Sequence, residues 1–144
     1  MPVTFHTEDI LFDLSQKQKH RLWISTWIES HDFICGNLSI IYTSNNNLRD
    51  INRRFLNHNY FTDVITFDYR EGSALSGDIF ISVEQVRKNA ISYGTKEVDE
   101  FRRVMIHGVL HLQGYKDDTE EERARMHQLE NDALLLWLEI KGND

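Results

Sequence analysis

Two histidines four residues apart are the sequence feature with the clearest chemical potential. His107 and His111 lie in the stretch IHGVLHLQGYKDD, residues 106–118, where the side chains around them are almost all apolar. On a helix, side chains four apart have Cβ atoms about 5–6 Å from each other, so both imidazoles can bind one ion. Because an unsatisfied buried polar group costs about 1–3 kcal/mol, two imidazoles on a buried helix need partners. The pair alone still fits core packing.

The residues after the second histidine favour a metal site. Gly114 can end the helix in a left-handed turn and lead the chain back, which brings Asp117 toward both histidines. A catalytic metal site needs a third protein ligand and an open position for water. Nitrogen and oxygen donors without a thiolate suit zinc, one ion per chain, and would also accept manganese, iron, nickel or cobalt. Zinc lowers the pKa of a bound water toward 7 and so supplies hydroxide at neutral pH.

The residue after the first histidine bears on the reaction class. Metalloproteases with the H-E-x-x-H pattern keep a glutamate there as general base, and this chain has Gly108. Peptide hydrolysis by that route loses its base, although a divergent metallopeptidase or amidase stays an alternative. The glycine either leaves space beside the metal or lets the helix pack closely against its neighbour.

Strand and helix patterns alternate along the chain. Strands are predicted near 3–9, 38–44, 63–69 and 77–82, and helices near 15–30, 45–57, 83–94, 96–113 and from 119 onward. This order predicts a single α/β (α+β) domain spanning 1–144. Its mixed sheet has about four strands packed with about five helices, and the histidine helix is central.

Particular side chains are assigned to helix starts and to the core. Capping boxes are predicted at Ser15 with Gln18 and at Thr119 with Glu122. The inward faces of the helices are predicted to hold Trp23 and Trp27, then Leu48, Ile51 and Phe55, then Val98, Phe101, Met105, Val109 and Leu112, and finally Met126, Leu129, Ala133, Leu136, Trp137 and Ile140.

Composition and charge narrow the classes of protein. With 144 residues, 40% of them hydrophobic and 27% charged, the chain can form one domain with its own core. Neither a membrane-spanning segment nor a secretory signal is evident, so we expect a cytoplasmic protein. The net charge is -7, but the acidic excess lies from Tyr115 onward. Cys35, the only cysteine, excludes an internal disulfide and a multi-cysteine metal cluster.

Three stretches together resemble one known family. HGVLHLQGYKD, INRRFLNHNYFTDVITFDY at 51–69 and SGDIFIS at 76–82 resemble the YbeY family of bacterial metallo-endoribonucleases over nearly the whole chain. The resemblance implies a zinc-dependent, single-strand-specific RNA hydrolase of the cytoplasm. Its implied roles are 3′-end maturation of 16S ribosomal RNA and ribosome quality control. A small mixed sheet surrounded by helices, with a metal cleft near the histidines, is also implied.

Two positions depart from the pattern of that family. The family's usual third ligand is a histidine, and Asp117 stands at that position, with Asp118 and His127 as competitors. A carboxylate makes zinc less electrophilic and its bound water a weaker acid. Many members carry a functional arginine where this chain has Leu56. A nuclease then needs another cation to hold phosphate.

The nearest cations to that position lie on the preceding helix. Arg53, one turn earlier, is the expected substitute and would share catalysis with His111, while Arg49 and His58 are expected to contact substrate. The alternative for the arginines is a solvated helix face. Asp63 is expected either to orient a ligand histidine or to cap the start of a strand.

A function without catalysis is the second alternative. In that interpretation the metal only clamps two helices, in a protein that binds the ribosome or a ribosomal protein. The missing family arginine favours this interpretation, while the ligand set and its open position favour the hydrolase. The expected substrate is single-stranded RNA, including ribosomal RNA, and no membrane is involved.

Overall fold

Four strands and five helices follow one another in the computed structural model, which describes residues 2–56 and 62–141. In chain order they are β1 (Val3–Glu8), α1 (Lys17–Glu29), β2 (Ile34–Thr43), α2 (Asn45–Leu56), β3 (Val64–Asp68), β4 (Ala74–Ser82), α3 (Val83–Tyr93), α4 (Glu97–Leu112) and α5 (Glu120–Glu139). The predicted α/β domain with four strands and five helices is confirmed. Within the described residues, no helix is both long and apolar enough to cross a membrane.

The strands form one mixed sheet in the order β1-β2-β4-β3. β2 runs parallel to β1 and to β4, and α1 supplies the crossover that parallel neighbours require. β3 pairs antiparallel with β4 through a short turn and forms an edge of the sheet. β4 begins at Ala74, three residues before the predicted start, because Ala74 and Leu75 already pair with Ile34 and Cys35 of β2.

The two faces of the sheet carry separate hydrophobic clusters, because successive strand side chains point to opposite faces. Ile79 and Ile81 of β4 face the main core, which α1, α4 and α5 cover. Phe80, between them, faces α2 and packs with Leu48 and Ile51. α4 is therefore the central helix, as predicted, and its residues from Met105 to Leu110 are buried except for the partly exposed His107.

Two glycines set the distance between α4 and the sheet. A Cβ added to Gly108 would lie 2.7 Å from Cγ2 of Ile79, closer than side-chain carbons approach one another. On the sheet side, a Cβ added to Gly77 of β4 would collide first with the carbonyl oxygen of Phe67 in β3 and would also lie 3.1 Å from Cδ2 of Leu112. Of the two roles considered for Gly108, close helix packing is therefore the one that its contacts support.

The capping box predicted at the start of α1 is wrong. The helix begins at Lys17, and its N-cap is Gln16, which has a left-handed backbone (φ 55°) and makes no side-chain capping bond within the described chain. Just before it, Phe12 packs 4.4 Å from the Tyr42 ring and 4.8 Å from the Phe101 ring, measured between centroids. This packing fixes the path of the chain into the helix, so local capping preference does not decide it.

Two predicted core side chains lie at the surface. Phe55 is 63% exposed, and the buried face of α2 ends instead at Asn52. Val98 is 51% exposed, because it lies in the first turn of α4, ahead of the buried part of that helix. By contrast, the inward stripe of α5 and the capping box of Thr119 with Glu122 are confirmed.

Candidate metal centre

A turn after α4 brings the third candidate ligand back to the two histidines. Gly114 has a positive φ of 102°, which L-residues with a side chain rarely adopt. Its amide donates to the carbonyl of His111 (3.0 Å), and the amide of Tyr115 donates to the carbonyl of Leu110 (3.1 Å). The chain therefore reverses as predicted, and Asp117 lies over the last turn of the helix.

His107, His111 and Asp117 converge on one point. The two Nε2 atoms are 3.0 Å apart, and Oδ2 of Asp117 lies 3.3 Å from Nε2 of His107 and 3.4 Å from Nε2 of His111. All three side chains are partly buried. Two ligands at about 2.0–2.1 Å from a tetrahedral ion are about 3.4 Å apart, so these spacings fit a metal bound by all three.

Both imidazoles are held so that Nε2 is free to bind an ion. Nδ1 of His107 donates to Oε2 of Glu130 (2.6 Å), and Nδ1 of His111 donates to the carbonyl of Tyr115 (3.1 Å). A carbonyl or an ionised carboxylate can only accept, so each Nδ1 carries the proton and each neutral ring presents its Nε2 lone pair. Two lone pairs and a carboxylate oxygen at one point form a site that a divalent cation can occupy.

Glu130 of α5 anchors this arrangement. Its Oε1 accepts from Nη1 of Arg103 (2.8 Å), while its Oε2 binds His107. Burial alone would raise the pKa of Glu130, but the hydrogen bonds from His107 and Arg103 outweigh burial and lower it. Glu130 is therefore ionised at neutral pH. It joins α5 to α4 directly behind the metal cluster, the group formed by the candidate ligands His107, His111 and Asp117.

The electrostatic environment differs between the two histidines. Burial lowers the pKa of His107, yet the hydrogen bond and charge of Glu130, with Asp117, reverse the effect and raise it. Burial and the neighbouring His107 lower the pKa of His111. Burial also raises the pKa of Asp63, against the opposing effect of His107. The pKa of His111 is therefore the lower of the two, so His111 is the histidine that stays neutral to lower pH.

Two cavities meet at the cluster and share Asp63, His107 and Asp117 as lining residues. The first, of about 460 Å³, lies against β3 and the end of α2 and is also lined by His111 and Leu56. The second, of about 560 Å³, lies between α4 and α5. An elongated ligand bound across the cluster can therefore extend into both.

The predicted cations of α2 lie away from the cluster. Arg53 is exposed and pairs with Asp50, and neither Arg53 nor Arg49 lines either cavity, as far as the described residues define them. Leu56, at the position of the family arginine, does line the first cavity. His58 lies outside the described residues. The roles assigned to these cations stay predictions.

The remaining candidates are also placed around the cluster. The Asp63 carboxylate accepts from Nδ2 of Asn89 (3.2 Å), and the ligand histidine His107 takes Glu130 as its carboxylate partner. His127 lies on an exposed part of α5 near Glu130. Neither His127 nor Asp118 belongs to the ligand cluster that the described residues form.

Glu130 is the important residue that the sequence analysis did not single out. It follows Met126 by four residues and precedes Ala133 by three, so it occupies the buried stripe of α5. A carboxylate on such a stripe needs a partner, so the position of Glu130 among apolar residues was the sequence signal that could have identified it. Its partner could not be identified, because His107 is 23 residues away in the sequence.

Comparison with known proteins identifies relatives over nearly the whole chain. The family model described as Endoribonuclease YbeY matches residues 4–137. A protein named Endoribonuclease YbeY from Bacteroides thetaiotaomicron is 40% identical over 136 residues, which cover 94% of this chain and 99% of the relative. A protein of that name from Flavobacterium psychrophilum is 39% identical over 141 residues, covering 98% and 99%.

A solved structure has the same fold. The solution structure of TM1509 from Thermotoga maritima matches with a TM-score of 0.62 at 21% identity, covering 95% of this chain and 92% of that chain. At this identity the likeness concerns the fold alone.

Proposed function

We propose that this chain, which belongs to the Endoribonuclease YbeY family, is a metal-dependent hydrolase that cleaves phosphodiester bonds within single-stranded RNA. The observation that carries the proposal is the convergence of His107, His111 and Asp117 beside an open cleft. Residues 1–144 act as one domain. Its proposed roles are 3′-end maturation of 16S ribosomal RNA and ribosome quality control in the cytoplasm, with the ribosome or a ribosomal protein as partner.

Zinc is the proposed cofactor, held by His107, His111 and Asp117. The nitrogen and oxygen donors and their spacing suit it, although other divalent transition metals fit the same set. When bound, zinc supplies Lewis acidity that lowers the pKa of water toward 7. Glu130 and the carbonyl of Tyr115 keep both Nε2 atoms aimed at the ion, so little reorganisation is needed on binding.

The two alternatives, a purely structural metal site and a peptidase, have weaker support. A purely structural metal would need no cleft beside it, and the relatives are named as endoribonucleases. A peptidase of the H-E-x-x-H type would need a glutamate at position 108, where a side chain would collide with Ile79. Endoribonuclease activity is therefore the function that the site and the family support best.

Cleavage of a labelled single-stranded RNA by zinc-loaded protein tests the proposal. We expect His111→Ala to reduce the rate by at least about 100-fold, because losing only an outer partner of a metal ligand already costs about 10–100-fold. His6→Ala, on the exposed part of β1, is the matched histidine control and should keep the full rate. Cleavage that His111→Ala leaves unchanged, or hydrolysis of casein instead of RNA, would contradict it.

Arg53→Ala belongs in the same assay. If Arg53 leaves Asp50 to hold phosphate, the substitution lowers the rate, most visibly at low salt where phosphate contacts are strongest. If the arginine belongs to a solvated helix face, the rate is unchanged. Arg54→Ala, the neighbour that pairs with the same aspartate, is the matched control.

A further inference from the structure

The second cavity at the metal cluster has the dimensions of a ligand site. Its volume of about 560 Å³ lies within the range of small-molecule pockets. It is bounded by the end of α3, by α4 and by the first turns of α5, and it reaches His107 and Asp117. An RNA strand that places a phosphate at the metal would therefore extend a neighbouring nucleotide into it.

A buried carboxylate that makes no hydrogen bond among the described residues lines this cavity. Glu100 of α4 is 5% exposed, and its carboxylate accepts no hydrogen bond and forms no ion pair among the described residues. Its oxygens are nevertheless not sealed within the protein. Burial raises the pKa of Glu100 against the opposing charge of Arg103, and the charges of Asp63 and Glu130 add to the effect of burial. Buried polar groups almost always have a partner, so this carboxylate indicates a ligand that donates hydrogen bonds.

An arginine stands at the mouth of the same cavity. Arg123 is exposed, and its Nη1 donates only to backbone carbonyls, those of Asp117 (3.5 Å) and Asp118 (3.0 Å). It forms no ion pair with a carboxylate in the described part of the chain, so its charge is not neutralised. Arg103, the other arginine lining the cavity, is bound to Glu130. A guanidinium in this position suits a phosphate group.

We propose that this cavity binds a guanine nucleotide next to the cleaved bond, with Glu100 accepting from the base and Arg123 contacting its phosphate. The proposal rests on the RNA hydrolysis proposed above. An ionised carboxylate only accepts hydrogen bonds, and it can accept two at once. Glu100 would therefore be a specificity-determining residue for the substrate.

The chemistry of the four bases selects guanine. Its Watson–Crick edge presents two neighbouring donors, N1–H and the N2 amino group. Adenine and cytosine present one amino group beside a ring nitrogen that repels a carboxylate, and uracil presents one N–H between two carbonyls. A good bidentate pair with a base discriminates by about 5–150-fold, the equivalent of about 1–3 kcal/mol.

A second metal ion is the competing occupant, because Asp63 and Glu100 line the cavity with Asp117 and Glu130. Geometry disfavours it: within the described residues, His107, His111 and Asp117 are the group whose ligand atoms approach within 4.8 Å of one another. Glu130 is already bound by His107 and Arg103. The acids therefore do not form a second cluster.

Binding of the four nucleoside 5′-monophosphates to zinc-loaded protein, measured by calorimetry, tests the proposal without requiring cleavage. Guanosine monophosphate should bind at least about tenfold more tightly than the other three. In Glu100→Gln this preference should be lost, because the amide keeps one acceptor oxygen and replaces the other with an NH2 donor. Arg123→Ala should weaken all four nucleotides to a similar extent. Glu97→Gln, one turn earlier and exposed, is the matched control.

Three results would overturn the proposal: equal binding of all four nucleotides, an unchanged preference in Glu100→Gln, or two equivalents of bound zinc with loss of one in Glu100→Gln. If Glu100→Gln does not fold, Thr95→Trp at the exposed mouth should block guanosine monophosphate while zinc content is kept. Unimpeded binding in that variant would equally exclude the site.

Cleavage of a random-sequence RNA separates this proposal from the proposed function. Guanine should be enriched at one position beside the cut, and Glu100→Gln should remove that enrichment while Glu97→Gln keeps it. An absence of cleavage with selective guanosine monophosphate binding would reject only the hydrolase. Cleavage without base preference and without selective binding would reject only the guanine subsite.

Discussion

Glu130 orients the metal cluster through one carboxylate that is not itself a candidate ligand. It fixes the ring of His107 and neutralises Arg103 at the same time. We predict that Glu130→Gln weakens zinc binding by about 10–100-fold, because the amide is a poorer acceptor and leaves the imidazole less firmly oriented. Competition with a chromogenic zinc chelator measures the change.

Asp132→Asn is the matched control for that substitution. Asp132 lies two residues later on the same helix, is exposed, and accepts only from Gln128 (3.0 Å). Zinc affinity equal to that of the unaltered chain is expected. If Glu130→Gln also bound zinc with full affinity, the hydrogen bond to His107 would have no role in the site.

Cys35 provides a second prediction for a single residue. Burial, together with the charge of Glu29, raises the pKa of its thiol to about 11. Since the thiolate is the reactive form, alkylation by iodoacetamide at about pH 8 should be at least ~100-fold slower than for the urea-unfolded chain. Mass spectrometry over time measures both rates. Equal rates would show that the thiol is exposed or activated in the folded protein.

The capping box of α5 predicts a dependence of stability on pH. Hydrogen bonds from the backbone amides of Thr119 and Asp118 lower the pKa of Glu122. A lowered folded pKa means stabilisation that is present above the unfolded pKa and is lost as pH falls through the folded value. The stability advantage over Glu122→Gln should therefore be present at about pH 7 and smaller at about pH 3, which lies below the ordinary glutamate pKa.

Urea unfolding of both chains at the two pH values tests this expectation. Glu121→Gln removes a charge from the same helical turn without touching the capping box, so its difference from the unaltered chain reports the helix dipole alone. A Glu122→Gln difference that persists undiminished in acid would show that the carboxylate charge does not act through these amides.

The element pattern could be predicted from sequence because it depends on local periodicity. All nine elements were predicted, and the stop of α3 at Gly94 and the start of α5 at Thr119 follow from capping chemistry. The predictions fail where contacts between residues distant in the sequence decide where an element begins. The start of α1 depends on Phe12 packing against Phe101 of α4, and that contact cannot be inferred from neighbouring residues.

The same division applies to the candidate site. His107, His111 and Asp117 are close in sequence, so helix spacing and one glycine turn were enough to bring them together. Glu130 lies on a different helix and Glu100 in an earlier turn of α4, and the groups that each of them faces depend on how α4 and α5 cross. Sequence therefore predicts the ligands better than the residues that surround them.

At the scale of the whole molecule, we predict that the metal stabilises the fold without being required for it. The core behind α4 is formed by apolar side chains that do not belong to the site. Free zinc at about 100 times its Kd should add about 2.7 kcal/mol, which raises Tm by about 5–10 °C for a chain of this length. Circular dichroism melts with zinc and with chelator measure the shift.

His107→Ala combined with His111→Ala is the matched variant for these melts. It should remain folded and show the same Tm with zinc and with chelator. A chain that unfolds completely when zinc is removed would show that the ion is part of the folding nucleus. An equal zinc effect in the double variant would place the ion elsewhere in the protein.

The three tryptophans all lie in the layer formed by α1 and α5. The Trp23 indole donates to the carbonyl of Ala133 and that of Trp27 to Oε1 of Gln113, while the Trp137 ring packs edge-on against Trp23. None of them lines the two cavities at the metal cluster. Intrinsic fluorescence is consequently a signal of helix separation during unfolding, and it should change little when a nucleic acid binds in either cavity.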